Sequence, residues 1–369
     1  MKILYVNDAL AIWGGIERSL TLQMNLLAER YGNEIRLVTV NQGNHSYPYG
    51  LHPSISHIDL GVGLHHKYRY RGIRRLWKAA VTECRYITRL RHQIKLWQPD
   101  VVVLMRYEQW EVYFAIGNTS LVVESHSMCR ADTFDNLTLW QRLRLSFSKV
   151  LARKAQKVVA LTEGDANDWR RYNPHVCVIP NVVILNDKLP YSSLTSRSAI
   201  FVGRLCFQKG IDSLIEIWKK VHGRHPDWHL NIYGEGELKE HYLSDISIQA
   251  INIHVYEPTH DIMERYKENS VLLLTSVFEP FGLVLPEAMS CGLPVVAFDC
   301  PYGPSDIISD GVDGFLVKDR DVDAFADKVC LLIENEALRR QMGQKGIASA
   351  QRYRAEAIMP IWERYVFTC

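Results

Sequence analysis

Short apolar runs alternate with amphipathic segments along the first half of the chain. The predicted strands are 3–7, 35–40, 101–105, 121–124, 158–161 and 176–179. A helical pattern at 16–29 separates the first two strands, and amphipathic segments stand between several of the others. Because strands that alternate with helices form parallel sheets, this half is predicted to be a doubly wound α/β domain.

The second half repeats the alternation. Its predicted strands are 199–202, 229–233, 253–256, 271–274, 294–298 and 315–317. Its predicted helices are 211–222, 262–267, 324–334, 337–351 and 355–367. A polar, serine-rich stretch at 181–198 is typical of a linker. We therefore expect one domain at 1–185, a second at 186–352 and a terminal helix at 353–369.

The bulk properties are those of a globular protein of two domains. The chain has 369 residues, of which 47% are hydrophobic and 23% are charged. No run of 18 or more apolar residues occurs, so no segment is expected to span a bilayer. The start of the chain resembles a strand and not a signal peptide. The eight cysteines form no C-x-x-C pair, which favours reduced thiols in the cytosol.

Two glutamates bracket a predicted turn from a strand into a helix. The apolar run 271–274 predicts a buried strand, and 283–290 predicts a short helix. Glu279 then lies in the turn, and Glu287 lies about one turn into the helix.

The backbone N–H groups of this turn are candidate ligands for an anion. Those near Phe281, Gly282 and Leu283 have no partner within the helix and stand at its positive end. A phosphate flanked by hydroxyls fits such a place, with one carboxylate accepting hydrogen bonds on each side. The pattern therefore predicts a nucleotide-sugar pocket.

These residues belong to a longer match. The segment 275–296, TSVFEPFGLVLPEAMSCGLPVV, resembles the signature of the family 4 retaining glycosyltransferases, in which seven residues also separate the two glutamates. Further matches are FVGRL at 201–205 with the following Lys209-Gly210, DGVDGFLV at 310–317 and GGIER at 14–18. The resemblance implies the GT-B architecture, in which two Rossmann-like domains face a central cleft. It also implies a donor site mainly on the second domain, an acceptor site on the first, and a terminal helix that crosses back.

Arg204 and Lys209 are candidate catalytic residues. Transfer of a sugar from a nucleotide diphosphate builds negative charge on the leaving phosphate, and fixed cations stabilise such charge. Both residues follow the predicted strand 199–202, at the carboxyl edge where open α/β sheets bind ligands. The alternative is a pair of solvated loop cations.

The resemblance assigns roles to the two glutamates. It implies that Glu279 accepts hydrogen bonds from hydroxyls of the transferred sugar and that Glu287 accepts them from the ribose. On its own chemistry, Glu279 could equally complement the helix dipole, and Glu287 could be an ordinary exposed helical residue.

Glycines and one histidine complete the candidate site. Gly14 and Gly15 stand between a strand and a helix, where glycine lets backbone N–H groups approach a phosphate. Gly234 follows the strand 229–233, and the resemblance places it near the nucleoside. His126 stands where relatives carry a histidine that faces the donor sugar, although a histidine at a strand end is often structural.

No cofactor or metal ion is expected. The chain has no G-x-G-x-x-G, which disfavours a nicotinamide or flavin cofactor. The sequence Asp319-Arg320-Asp321 superficially matches a D-x-D metal motif, but it precedes a predicted helix, where acidic residues are expected as caps.

The segment 64–97 is strongly basic. It holds ten Lys and Arg residues against one acid, Glu83, with five Tyr and Trp residues interleaved. Such a segment is typical of contact with an anionic membrane or with a lipid diphosphate acceptor. A solvated helix with buried aromatic residues is the alternative, and no nucleic-acid-binding motif accompanies the segment.

The leading hypothesis is a metal-independent, retaining glycosyltransferase. The resemblance of 299–304 to bacterial enzymes favours a UDP donor, a transferred hexose or N-acetylhexosamine, and a glycan or polyprenyl-diphosphate-linked acceptor in surface-polysaccharide synthesis. The expected location is the cytoplasm, at the inner face of the plasma membrane. Two alternatives are a nucleotide-sugar epimerase and a non-catalytic scaffold at the membrane. The scaffold would be free to lose the four charged site residues, Arg204, Lys209, Glu279 and Glu287.

Overall fold

The computed structural model describes residues 1–11, 14–63, 72–133, 137–187, 189–240 and 250–367. Contacts divide the chain into two compact units, one of Met1–Val182 with Ile358–Cys369 and the other of Val183–Ala357. Among the described residues, no helix combines the length and apolar character that crossing a membrane requires.

The first unit is built on a parallel sheet of seven strands. They are β1 Lys2–Asn7, β2 Glu34–Thr39, β3 Ser56–Asp59, β4 Val101–Leu104, β5 Ser120–Ser125, β6 Lys157–Ala160 and β7 Val176–Val178. Their order across the sheet is β3-β2-β1-β4-β5-β6-β7. The helices are α1 Gly15–Glu29, α2 Gly72–Trp97, α3 Trp110–Ala115, α4 Leu139–Leu151 and α5 Glu163–Trp169.

The second unit has a parallel sheet of six strands. They are β8 Ser198–Val202, β9 His229–Tyr233, β10 Ile253–Tyr256, β11 Val271–Leu274, β12 Val295–Phe298 and β13 Gly314–Val317, in the order β10-β9-β8-β11-β12-β13. The helices are α6 Ile211–Arg224, α7 Ile262–Lys267, α8 Val284–Ser290, α9 Gly303–Ile307, α10 Val322–Glu334, α11 Glu336–Ala350 and α12 Ala355–Trp362. The boundary between the units falls within α12, so this helix from Ile358 onward and the π-helical turn that follows it, Glu363–Phe367, belong to the first unit.

The predicted doubly wound α/β class is confirmed in both units. The apolar runs became strands because both faces of a parallel sheet are covered by helices, and all four residues of β4, β11 and β12 are buried. The sequence missed β3, whose residues SHID form no apolar run and are only partly buried. It also missed α9, a helix of five residues.

The helices bury the apolar stripe that their spacing predicts. In α6 the buried residues are Ile211, Leu214, Ile215, Ile217, Trp218 and Val221. They pack into one cluster with residues of β8, β9 and β11. Such packing fixes where each strand ends and therefore where each loop begins.

Each sheet has one point at which the strand order reverses. In the first unit it lies between β1 and β4, and in the second unit it lies between β8 and β11. Loops that leave neighbouring strands in opposite directions open a crevice at their carboxyl ends, which is where open α/β sheets bind ligands.

Candidate active site

Two turns lie side by side at the strand reversal of the second unit. One follows β8 and contains Arg204 and Lys209, and the other follows β11 and contains Glu279. The Val277 N–H donates to the Gln208 carbonyl at 2.8 Å, and the Thr275 hydroxyl donates to the Lys209 carbonyl at 3.0 Å. Backbone contacts therefore join the two turns directly.

Gly210 makes this close approach possible. Its φ is +64°, a left-handed conformation that favours glycine. A Cβ built at this position would lie 2.1 Å from the Thr275 carbonyl oxygen. The position therefore excludes side chains on two independent grounds.

Lys209 and Glu279 form an ion pair between the two turns. The Lys209 Nζ lies 2.5 Å from the Glu279 Oε2, and the two side chains are only 16% and 8% exposed. The Ser276 hydroxyl donates to the same carboxylate oxygen at 3.0 Å. No described residue donates to the Glu279 Oε1, so that oxygen can accept a hydrogen bond from a ligand hydroxyl.

The backbone of Glu279 is also held in place. Its N–H donates to the Pro301 carbonyl at 2.6 Å, and its carbonyl accepts from Tyr302 and Gly303 at 2.9 and 2.8 Å. The loop after β12 therefore supports the turn. Burial, followed by the negative charge of Glu279, raises the pKa of the Cys300 thiol in that loop.

Arg204 occupies a different environment. It is exposed, and no described carboxylate forms an ion pair with it. Because Arg204 follows β8, it lies in the loop at the reversal point, and its guanidinium can offer five donors to a ligand.

Glu287 lies in α8 and is almost completely buried. Its Oε2 accepts a hydrogen bond from the Tyr266 hydroxyl at 3.2 Å. Before the helix, the backbone N–H groups of Phe281, Gly282 and Leu283 donate to no described acceptor. Gly282 has a φ of +94°, which turns the chain from Glu279 into the helix.

Gly234 lies against the turn that carries Arg204. A Cβ at this position would be 2.0 Å from the Gly203 carbonyl oxygen. The Leu205 N–H donates to the Glu235 carbonyl at 2.8 Å, and the Gly203 N–H donates to Tyr233 at 3.1 Å. The absence of a side chain at Gly234 therefore lets the turn after β9 pack against the turn after β8.

The first unit holds the remaining candidates. Gly14 is the residue before α1, and its carbonyl accepts from the Arg18 N–H at 3.1 Å. Gly15 begins the helix. At the end of β1, Asp8 pairs with Arg106 at 3.3 Å and accepts from the Gln109 side chain at 2.6 Å.

His126 is buried beside a carboxylate. Its Nε2 lies 2.9 Å from the Glu124 Oε2, and both side chains are at most 3% exposed. The Gln23 amide donates to the other Glu124 oxygen at 3.0 Å. The ring is therefore oriented by Glu124, an arrangement that suits either a structural histidine or a positioned catalytic one.

Asp321 has a structural role. Its carboxylate accepts from the Ala324 N–H at 3.0 Å and caps α10, as the sequence indicated. In the described ranges, no group of three or more His, Cys, Asp or Glu side chains is arranged to hold a metal ion.

Two family models match the chain in succession. Residues 13–187 match the model described as Glycosyltransferase Family 4, and residues 192–349 match the model described as Glycosyl transferases group 1. The protein belongs to the family 4 glycosyltransferases. The two matched ranges together include every predicted site residue, from Gly14 to Glu287.

Similar proteins come from bacteria. The amylovoran biosynthesis glycosyltransferase AmsD of Erwinia amylovora is 27% identical over 98% of each chain. The poly(ribitol-phosphate) alpha-N-acetylglucosaminyltransferase of Staphylococcus aureus is 30% identical over 57% of this chain and 44% of its own. A crystal structure of S. aureus TarM, in complex with fondaparinux, alpha-GlcNAc-glycerol and UDP, shares the fold with a TM-score of 0.80, 16% identity and 99% coverage of both chains.

Three residues that support candidate side chains or the turns that carry them escaped the sequence analysis. Glu124 and Tyr266 are the buried partners of His126 and Glu287. Arg320 donates to the Ser276 carbonyl at 2.6 Å and lies 5.0 Å from the centre of the Phe298 ring. Tyr266 and Arg320 act on residues 21 and 44 positions away, so no local pattern marks them. Glu124 lies only two positions from His126, but the sequence does not show that the two side chains are buried against each other.

Proposed function

We propose that this glycosyltransferase moves a hexose or N-acetylhexosamine from a UDP-sugar to a glycan or polyprenyl-diphosphate-linked acceptor, with retention of configuration and without a metal ion. The observation that carries the proposal is the pairing of Lys209 with Glu279 at the strand reversal of the second unit. This pair places an ammonium group and a hydroxyl acceptor side by side, as a phosphate-linked sugar requires.

The Lys209 ammonium has three donors, and Glu279 uses one of them. A second donor can bind a diphosphate oxygen while the ion pair stays intact. The exposed Arg204 supplies a second cation, so positive charge in the site comes from side chains. The Oε1 of Glu279 would then accept a hydrogen bond from a hydroxyl of the transferred sugar.

In the proposed reaction, the bond between the anomeric carbon and the diphosphate breaks as the acceptor oxygen bonds to the same face of that carbon. The acceptor hydroxyl proton passes to the leaving diphosphate. Arg204 and Lys209 stabilise the charge that develops there. No step requires a protein nucleophile.

The similar proteins support the choice of donor and pathway. The TarM crystal contains UDP, and AmsD acts in the synthesis of amylovoran. We therefore place the protein in synthesis of a bacterial surface polysaccharide, at the inner face of the plasma membrane. Contact of segment 64–97 with an anionic surface is part of the same proposal, although 64–71 lie outside the described residues.

A thermal-shift panel of nucleotides tests the donor site. UDP should raise the melting temperature more than ADP or GDP, because the protein should bind UDP most tightly. A ligand at 100 times its Kd stabilises the folded state by about 2.7 kcal/mol. Glu287→Gln should remove most of that shift relative to the variant's own baseline. Glu336→Gln, at an exposed glutamate of α11, is the control and should retain it.

Turnover tests the chemistry. Release of UDP from a UDP-sugar should continue in excess chelator, and NMR should show the product with the donor's anomeric configuration. Binding of UDP without any turnover would favour the scaffold, and inversion or loss of activity in chelator would overturn the corresponding part of the proposal.

A further inference from the structure

Helix α4 directs an apolar stripe toward solvent. Its large exposed residues, with their exposed fractions, are Leu139 (71%), Trp140 (82%), Leu143 (52%), Phe147 (49%) and Val150 (52%). At about 100° per residue, these positions fall within an arc of roughly 100° on one side of the helix. The helix therefore presents a continuous apolar face.

The opposite side of the helix faces the core of the first unit. Leu145 packs against the core, and Ser148 and Lys149 are buried. In a helix that covers a sheet, the apolar stripe normally faces the sheet and the polar residues face water. Here the larger apolar residues lie on the outer side, and exposed apolar patches of this kind mark interaction surfaces.

The charges around the stripe identify the partner. Residues 138–154 contain five Lys and Arg residues and no Asp or Glu. Arg153 and Lys154 are exposed just beyond the helix, and Arg144 is exposed beside the stripe, where it reaches Glu111 of α3 at 3.3 Å. A basic helix with Trp, Phe and Leu on one face is suited to the surface of an anionic bilayer.

A second copy of the chain fits this surface less well. In a symmetric dimer the same patch would meet itself, so two acid-free basic helices would lie against each other. Their positive charges would repel, whereas anionic lipid headgroups would complement them.

The neighbouring helices extend the surface. Helices α2, α3 and α4 connect strands that advance in the same direction across the sheet, so right-handed crossovers place all three on one face. Helix α3 packs against both α2 and α4. Helix α2 adds the exposed Leu76 and Trp77, with basic residues on either side of them.

We infer that α4 lies in the surface of an anionic bilayer, with Trp140, Leu143 and Phe147 inserted among the headgroups. This inference is independent of donor chemistry. It assigns the main apolar anchor to a helix outside the basic segment 64–97.

Sedimentation with lipid vesicles tests the inference on the full-length protein, without donor or acceptor. Wild type should bind vesicles that contain phosphatidylglycerol, should bind pure phosphatidylcholine at least tenfold more weakly, and should be released by salt. Trp140→Ser with Phe147→Ser should weaken the binding at least tenfold. Arg153→Gln with Lys154→Gln should weaken it only for anionic vesicles.

The matched control is Val312→Ser with Leu331→Ser, at exposed apolar positions of the second unit, and it should bind as wild type does. Melting curves should show that all variants fold, because the substituted side chains are exposed. Unchanged binding by the stripe variant would overturn the inference. A wild-type dimer that the stripe substitutions dissociate would also overturn the inference, because the apolar stripe would then bind a second copy of the chain.

Discussion

The Nζ of Lys209 and the Oε2 of Glu279 lie 2.5 Å apart, although 70 positions separate the two residues in the sequence. The turns that carry them follow β8 and β11, which are neighbours at the point of strand reversal. The fold itself therefore holds two of the candidate catalytic groups together.

Breaking this ion pair should destabilise the protein. Lys209→Met leaves the nearly buried Glu279 carboxylate with Ser276 as its remaining described donor, and the double variant with Glu279→Gln should recover part of the loss. We expect a coupling energy of about 1–3 kcal/mol from urea unfolding of the double-mutant cycle. The exposed pair Arg340–Glu336 is the control, and its coupling should be about 0.5 kcal/mol or less. Equal coupling in the two cycles would contradict a structural role for the Lys209 pair.

Gly234 should not tolerate a methyl group. Gly234→Ala places a Cβ against the Gly203 carbonyl, so the free energy of unfolding should fall by about 1–3 kcal/mol. In contrast, Gly223→Ala meets no atom within 4 Å in α6 and should stabilise the protein by up to about 1 kcal/mol. Chemical denaturation of both variants measures the difference. A Gly234→Ala variant as stable as wild type would show that the turn after β9 does not lie close to the turn after β8.

Arg320 should position the turn that carries Glu279. It holds the Ser276 carbonyl, so Arg320→Ala should lower kcat/KM for the donor about 10–100-fold. The residue has a φ of +63°, so Arg320→Gly should be about 1 kcal/mol more stable than Arg320→Ala while losing as much activity. Steady-state kinetics and melting curves separate the two effects. If activity followed stability across the two variants, the positioning role would be wrong.

Asp165 should give the first unit a pH-dependent stability. Burial raises the pKa of this carboxyl to about 6, against the opposing hydrogen bonds from Ser125 and the Cys129 N–H. The folded state therefore binds the proton more tightly than the unfolded chain. The resulting stabilisation is complete below about pH 4 and is lost as the pH rises through 6.

Asp165→Asn should remove this dependence. The stability of wild type relative to the variant should decrease by about 2 kcal/mol between pH 4 and pH 7, as measured by denaturant unfolding at each pH. The variant's absolute stability does not enter the comparison. A difference that stays constant with pH would show that the carboxyl titrates in the same way in the folded and unfolded chains.

The sequence determined the class of fold and the family. Parallel strands such as Val101–Leu104 are buried on both faces, so they appear as apolar runs that can be recognised without tertiary information. Glu279 and Glu287 could be singled out because their spacing around a strand-to-helix turn is a local property. In contrast, Ser56–Asp59 escaped notice because an edge strand needs no apolar run.

Which side chains meet and which faces stay exposed depends on the packing of distant segments, so these features could be seen only in the folded structure. The Lys209–Glu279 pair, the support from Arg320 and the hydrogen bond from Gln23 to Glu124 all join residues through packing between elements. Packing between elements also determines the orientation of α4. Periodicity shows that Leu139, Leu143 and Phe147 share a face, but it cannot show whether that face meets a sheet or the solvent. That choice depends on which other residues of the helix fit the core, and those contacts are non-local.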